Sequence, residues 1–572
     1  MTGRLVRVVG PLVEVDGLSG ATMFEVVDLG PDGIPGEVVA IRGGTATVQA
    51  YEYTGGLRPG DAAVGRGHPL SARLGPGLLG GVFDGLLRPL AGAPVRLAAG
   101  AVRESGPPGS WPLTPCVEVG ALVEPGDLLA TVTTAGPLAH RVLVPPGVRG
   151  RVAAVAPAGP CAGDAVVAQV GGVAVPLTTT WPIRRPRPSA ERLDAAQALR
   201  TGQRVLDLLF PVARGSTAAV PGGFGTGKTV LLQQLAKWCD ADVIVYVGCG
   251  ERGNEMADVV ADLQELEDPR TGGRLTDRTV IVANTSDMPM MAREASIYAG
   301  ATVAEYFRDM GYDVVVIADS TSRWAEALRE FASRTGALPA EEGFPADLAS
   351  AIAAFYERAG RVRTLGGREG SVTVVGAVSP PGGDLAEPVT AQTQRFVRCV
   401  WTLDRDLAYA RHYPAVSWSG SFSRDAERLG SWHARQGDPA WARRRAEIGD
   451  LLAEADRLSA LAELVGAGAL PGRERMVLLA GRLLRESVLQ QSALSATDAT
   501  CDPAKAAALA DAVLAVADRC QQLVDAGVPA AMVEETDFTP LVRAREEVGP
   551  DDAAGVRAHL ETMLARLTEL LP

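Results

Sequence analysis

Eight consecutive residues constrain this chain more than any others. Gly222, Gly223, Phe224, Gly225, Thr226, Gly227, Lys228 and Thr229 fill the pattern G-x-x-x-x-G-K-[ST] at every required position. Glycines let backbone N–H groups close around phosphate oxygens, and a following helix adds the positive end of its dipole. A lysine at the position of Lys228 reaches the β- and γ-phosphates, and the Thr229 hydroxyl can ligate Mg²⁺. The apolar run Thr217–Val220 before the loop and the run Val230–Leu235 after it predict strand, loop and helix in that order. Basic charge is carried almost wholly by arginine, and the lysines are Lys228, Lys237 and Lys505. One of them stands where a compact ammonium is wanted.

A length of 572 residues predicts about three or four domains. The 68 acidic residues outnumber the 55 basic ones, for a net charge of −13. That balance argues against a nucleic-acid or membrane-surface role, which needs a basic footprint, and points to a protein partner. The seven cysteines are scattered without a C-x-x-C pair, as reduced thiols of a cytosolic protein are. The first residues show no continuous apolar stretch, and no apolar run reaches the length of a membrane span. Work at a membrane would go through other subunits.

Along the chain, residues 1–70 read as short strands with turn signals at Gly10-Pro11, Gly43-Gly44 and Gly55-Gly56, which predicts a small β-barrel. An oligonucleotide-binding barrel is the functional alternative, but five Arg stand against eight Asp and Glu here, favouring a structural collar. Residues 71–110 are rich in Gly, Leu and Pro and read as a connection into the next unit. Residues 111–180 have β texture again. Val123–Leu128 resembles the hairpin of a biotinyl or lipoyl carrier, yet no lysine is present there to be modified, which leaves a β-rich insertion. Thr180–Pro188 is a proline-punctuated boundary whose Arg184, Arg185 and Arg187 are expected to be solvated in an extended linker rather than to form a nucleic-acid patch. From 181 to 430, apolar strands at Val243–Val247, Thr279–Val282, Val314–Ile317 and Ser371–Val378 alternate with helical patterns, the signature of an α/β fold with a mostly parallel sheet. Residues 431–572 read as a helical domain, with Ile448, Leu451, Leu452, Ala455, Leu458, Leu461 and Leu464 on one helix face and Met476–Gln491 as a second helix.

Two carboxylates join the loop in this reading. Asp319 ends the apolar run Asp313–Ala318, as expected where an Asp holds Mg²⁺ or its water opposite a phosphate loop. Glu251 follows the strand Val243–Val247. It suits the task of orienting and deprotonating a water that attacks the γ-phosphate, and equally that of an acid at a helix N-terminus with local electrostatic value.

Taken with the loop, the runs Gly250–Glu255, Asn284–Pro289, Ala292–Tyr298, Asp319–Glu330 and Pro380–Asp384 resemble the catalytic A subunit of V-type and archaeal-type rotary ATPases over nearly the whole chain. The resemblance implies a RecA-like phosphate-loop domain behind a β-barrel collar, with the 111–180 insertion as the extra domain of this subunit type. It implies Mg²⁺ as cofactor, ATP and ADP as substrates, and an alternating A3B3 head with a B subunit. Central and peripheral stalk subunits would link that head to a membrane sector moving H⁺ or Na⁺, leaving this chain cytoplasmic and peripheral to the membrane. By the same matching, residues Gly222 to Val230 hold the nucleotide, with Phe224 inside the loop and Val230 at its end. Lys228 and Thr229 take the phosphate and Mg²⁺, Glu251 becomes the base, Arg252 its positioning neighbour and Asp319 the carboxylate that stands behind the Mg²⁺ and its water. Phe422 is expected on the adenine. Position 223 is Gly where Pro or Ala is common, and Thr226 replaces a common Ser or Cys, so redox control through a loop thiol is not expected. Arg424 stands where an apolar residue is usual and is read either as an interface contact or as a surface ion pair. A homohexameric motor of the terminator or secretion type is the rival reading. A third is a structural subunit that binds nucleotide without turning it over.

Overall fold

The computed structural model describes residues 2–90, 109–134 and 136–571. Six strands, Thr2–Val9, Leu12–Asp16, Glu25–Leu29, Ile34–Arg42, Thr45–Ala50 and Ala62–Pro69, close into an antiparallel barrel. The first strand pairs with both the second and the sixth, so no edge is left open. Alternation along the strands turns Leu5, Val13, Val15, Val27, Val38 and Val48 inward, which is the collar predicted from the turn spacing.

The insertion consists of two four-stranded antiparallel sheets. One contains Leu122–Val123, Gly150–Val155, Val166–Val170 and Val173–Pro176, and the other Ala139–Leu143, Leu128–Thr133, Ser110–Pro115 and Gly159–Ala162. Two small cores hold the sheets together, since Val167 of the first sheet joins the core around Leu113 and Val132, and Leu129 of the second joins the core around Val152 and Val170. The hairpin turn at Gly126 is pressed onto the backbone of Leu365-Gly366. Beside it, Arg141 donates to the Met310 carbonyl and lies over the Tyr312 ring, and buried His140 meets the Tyr306 hydroxyl at 3.0 Å.

The central sheet runs in the order Phe422–Ser423, Cys399–Val400, Thr217–Pro221, Glu369–Val378, Asp313–Asp319, Val243–Glu251, Thr279–Thr285, Val82–Phe83. All neighbours are parallel except the first pair. The stretch read as a connection thus supplies the edge strand Val82–Phe83; its continuation over 91–108 lies outside the described residues. Strands such as Val243–Gly250 are buried on both faces, hence their unbroken apolar runs. One face packs the helix Lys228–Trp238 and the C-terminal helices, and the other packs Met290–Asp309, Thr321–Thr335 and Leu348–Tyr356.

Two expectations need correction. Arg184 and Arg187 are not solvated: Arg184 is clamped between Glu37 of the barrel and Glu294 of the helix Met290–Asp309, at 3.0 and 2.7 Å. Arg187 pairs with Asp309 at 2.7 Å over the Trp181 ring. The boundary is a set of staples rather than a free linker, because carboxylates distant in sequence converge on it. In the C-terminal domain, the helix Trp441–Val465 buries Ile448, Leu452, Ala455 and Leu458, but Leu461 and Leu464 are exposed. The helix carries its apolar stripe one turn past the core. The second predicted helix ends at Leu484 and continues as a π-helical turn, Arg485–Leu489.

Candidate nucleotide site at the end of the parallel sheet

The strand Thr217–Pro221 delivers the chain into the loop, where Gly225 and Gly227 adopt φ of 78° and 87°, the left-handed region that glycine occupies without strain. The helix Lys228–Trp238 starts at once, so its free N–H groups face the loop. Lys228 Nζ donates to the carbonyls of Gly222 at 2.6 Å and Gly223 at 3.0 Å, and Thr226 Oγ1 donates to the Gly223 carbonyl at 2.9 Å. These bonds hold the loop in an open arch. Phe224 projects from it and is 93 % exposed, and Val230 is half exposed. A Cβ on Gly223 would be 3.8 Å from Gly383, which places the Pro380–Asp384 turn alongside the arch.

Asp319 and Glu251 end neighbouring strands, with Gly248 in register with Asp319. Asp319 is buried. Its carboxylate is pushed up by burial and drawn back by the Tyr246 hydroxyl, which donates at 3.0 Å, by Lys228 and by the Thr229 hydroxyl. Burial also pushes Lys228 down, countered by Asp319 and Glu251. Glu251 is pushed up to about 7, first by burial and next by the Asp319 charge, while Arg323 and Lys228 oppose the rise. Lys228, Thr229, Asp319 and Glu251 therefore share one electrostatic site, and its donor set fits a hard divalent cation: a hydroxyl on the loop with a carboxylate behind it.

Other residues fall elsewhere. The Arg252 side chain is 72 % exposed and lies 3.9 Å from Glu255; the cations that act on Glu251 are Arg323, hydrogen-bonded to Glu326 at 3.0 Å, and Lys228. Phe422 packs on the sheet face opposite the helix Lys228–Trp238 and carries the Arg424 guanidinium 5.3 Å above its ring. The ring beside the loop is that of Tyr413: a Cβ on Gly227 would lie 3.4 Å from it. The Tyr413 carbonyl accepts from the Gln491 N–H at 2.8 Å. No signal in the sequence singles out Tyr413 beyond its chemistry, since only the folded chain brings it to Gly227.

A glycine arch opening a helix, a lysine within it and two strand-end carboxylates beside it define a phosphate-loop nucleotide-binding protein. Residues 202–423 match the nucleotide-binding domain of the ATP synthase alpha/beta family, 5–67 its beta-barrel domain, 108–184 its barrel-sandwich domain and 430–532 the C-terminal domain of V and A type ATP synthases. The V-type ATP synthase alpha chain of Anaeromyxobacter dehalogenans strain 2CP-1 is 50 % identical over 577 residues, covering 99 % of this chain and 100 % of that protein. The corresponding A-type ATP synthase protein of Methanopyrus kandleri, its A subunit, is 48 % identical over 566 residues, covering 96 % of this chain and 95 % of that one. The chain belongs to the family of V-type and A-type ATP synthase alpha, or A, subunits, and so to the ATP-hydrolysing and ATP-synthesising nucleotide-binding proteins. The assembled ATPase EscN of an enteropathogenic E. coli type III secretion system has the same fold, with a TM-score of 0.64 over 90 % of this chain and all of that one; at 22 % identity the likeness is one of fold alone.

Proposed function

We propose that this chain is the catalytic A subunit of a rotary ATPase, hydrolysing or forming ATP at interfaces with a B subunit in an alternating A3B3 head. In this reading residues 1–70 form the collar, 71–110 lead into the nucleotide domain, 111–180 form the insertion, 181–430 carry the chemistry and 431–572 form the helical end. The glycine arch and Lys228 receive the β- and γ-phosphates, Lys228 exchanging its two carbonyl partners for phosphate oxygens. Thr229 and Asp319 would hold Mg²⁺, which on binding neutralises phosphate charge. Glu251 orients a water and takes its proton. Arg252, next to Glu251 in the chain and exposed, positions that base, and Arg323 stands where it can meet the charge on the transferred phosphoryl group. Tyr413 takes the base by stacking.

The observation that carries the reading is geometric: the glycine arch with Lys228 stands at the ends of the adjacent strands that carry Asp319 and Glu251. A carboxyl group pushed up to about 7 beside Lys228 and Asp319 has the acidity of a general base working near neutrality. Exposed apolar side chains support a covering partner. Phe224 on the arch, Tyr409 just before Tyr413 and Leu494 just after Gln491 are each more than three-quarters exposed. A B subunit seated there would bury them and supply an arginine in trans, a contribution worth about 10³–10⁵ in rate. Among the described residues no helix is long and apolar enough to cross a membrane. The proposal therefore places the chain at the cytoplasmic face, reaching H⁺- or Na⁺-conducting subunits through central and peripheral stalks.

The test is Mg-ATP hydrolysis by the chain alone, by the chain with its B partner, and by that pair carrying Glu251→Gln. Turnover that needs the partner and vanishes in the variant, with ATP binding retained, is the expected result. Full turnover without the partner would instead mark a self-assembling motor of the secretion type.

A further inference from the structure

Remote from the phosphates, a charged network lies sealed inside the protein. Arg204 and Asp498 pair at 2.5 Å with both side chains 0 % exposed. Arg204 begins the helix Arg204–Leu209 under the nucleotide domain; Asp498 lies in the segment leading to the C-terminal helix Pro503–Asp525. The guanidinium also donates from Nε to the Val488 carbonyl at 2.8 Å and from NH2 to the Gln490 carbonyl at 2.6 Å. Both acceptors lie at the end of the π-helical turn Arg485–Leu489, where the last carbonyls of a helix have no partner within it. Asp498 Oδ2 accepts from the Ser492 N–H at 2.7 Å, closing the loop 492–498 on itself. Fully buried Lys505 donates to the carbonyls of Thr497, Arg545 and Val548 and ties that loop to the helical domain.

Gln491 is where this network meets the nucleotide site. Its side chain, 2 % exposed, accepts from the Arg204 N–H at 2.8 Å and donates to the Gly202 carbonyl at 2.9 Å. Its own N–H holds the Tyr413 carbonyl, and the Gln490 side chain donates to the Arg411 carbonyl at 3.4 Å. The segment that presents Tyr413 to Gly227 thus hangs from a residue whose place is fixed by the buried pair. The geometry points to Arg204 and Asp498 as a positioning pair that, through Gln491, sets Tyr413 against the nucleotide base and so ties base affinity to the docking of the C-terminal helical domain. Buried ion pairs seldom add net stability over apolar packing, whereas they do fix one arrangement among several. Here the arrangement fixed is that of the base-binding aromatic. The inference rests on the reading that Tyr413 stacks on the base.

The experiment compares Mg-ATP with Mg-tripolyphosphate, which offers the phosphates without a base. Binding of each is measured by calorimetry on the full chain in complex with its B partner. Asp498→Asn leaves Arg204 without its counter-ion at constant size, and Gln491→Met removes the two side-chain hydrogen bonds while keeping the backbone link, so one variant remains informative if the other fails to fold. Both are expected to weaken ATP about tenfold, leave tripolyphosphate unchanged, and raise KM with kcat little altered, the signature of lost uniform binding. Equal weakening of both ligands, or unchanged ATP affinity in both variants, would overturn the proposal. Tyr413→Ala keeps the two readings apart. If it leaves ATP affinity unchanged, the base contact itself fails and the positioning role with it. If it weakens ATP while the other two variants do not, only the positioning role fails.

Discussion

Two carboxylates at the ends of adjacent strands are given different work by their surroundings. Asp319 is enclosed and satisfied by Tyr246, whereas Glu251 feels Arg323 and Lys228 across space and sits at the rim. Glu251 is raised in the folded chain, so its ionisation opposes folding. Its contribution to stability is fully present below the usual carboxylate range and lost as pH rises through about 7. Glu251→Gln, besides abolishing turnover, is expected to raise the stability of the nucleotide-free chain at pH 8 by about 1–2 kcal/mol after solvent screening and by nothing at pH 4, read as the difference in Tm at the two values. The site was legible in sequence where its geometry is local. Gly222 to Thr229 and the strand-end acids are fixed by spacing along one chain segment. The directions of Arg252 and Phe422 could not be read, because sequence distance says nothing about them: Arg252 opens a helix with its side chain exposed, and Phe422 packs against the core on the sheet face opposite the helix Lys228–Trp238. Arg323 was in view within a matched run, yet its coupling to Glu251 appears only once Asp319 and Glu251 stand on neighbouring strands.

At the scale of elements, the loop and the insertion carry opposite tolerances for an added methyl group. Gly223 lies outside the left-handed region, and a Cβ there meets only ordinary contact with Gly383. Gly223→Ala is therefore expected to stabilise the chain by about 0.4–1 kcal/mol through its unfolded state, with ATP affinity within twofold in the same titration. Gly126 has φ of 89°, and a Cβ there collides with the Leu365-Gly366 backbone. Gly126→Ala is expected to cost about 1–3 kcal/mol and to lower Tm without changing nucleotide binding. Strands of the central sheet could be read directly, because burial on both faces demands unbroken apolar runs. The two-residue strand Val82–Phe83 could not, being too short for any period to register. Nor could the exposed end of the helix Trp441–Val465, since Leu461 and Leu464 keep the helical spacing although the core stops at Leu458.

Over the whole molecule, the barrel is fastened to the nucleotide domain by a guanidinium held between two nearly buried carboxylates. Burial already pushes Glu37 up, and Arg184 restrains it. Arg184→Leu is expected to cost about 3 kcal/mol at pH 8. Without its cation Glu37 favours the neutral form still more, so the loss should shrink as pH falls toward 5, seen as converging Tm values for variant and parent. The sparse use of lysine has a practical side. Lys505 is sealed on three carbonyls and Lys237 lies against the Trp238 ring, which leaves Lys228 as the lysine amine in the glycine arch proposed to hold nucleotide. Burial lowers the basicity of its Nζ, countered by Asp319 and Glu251. A mild acylating label would in effect be a footprinting reagent for this chain, with the mass added at the Lys228 peptide reporting what share of the chains stand without nucleotide at a given moment.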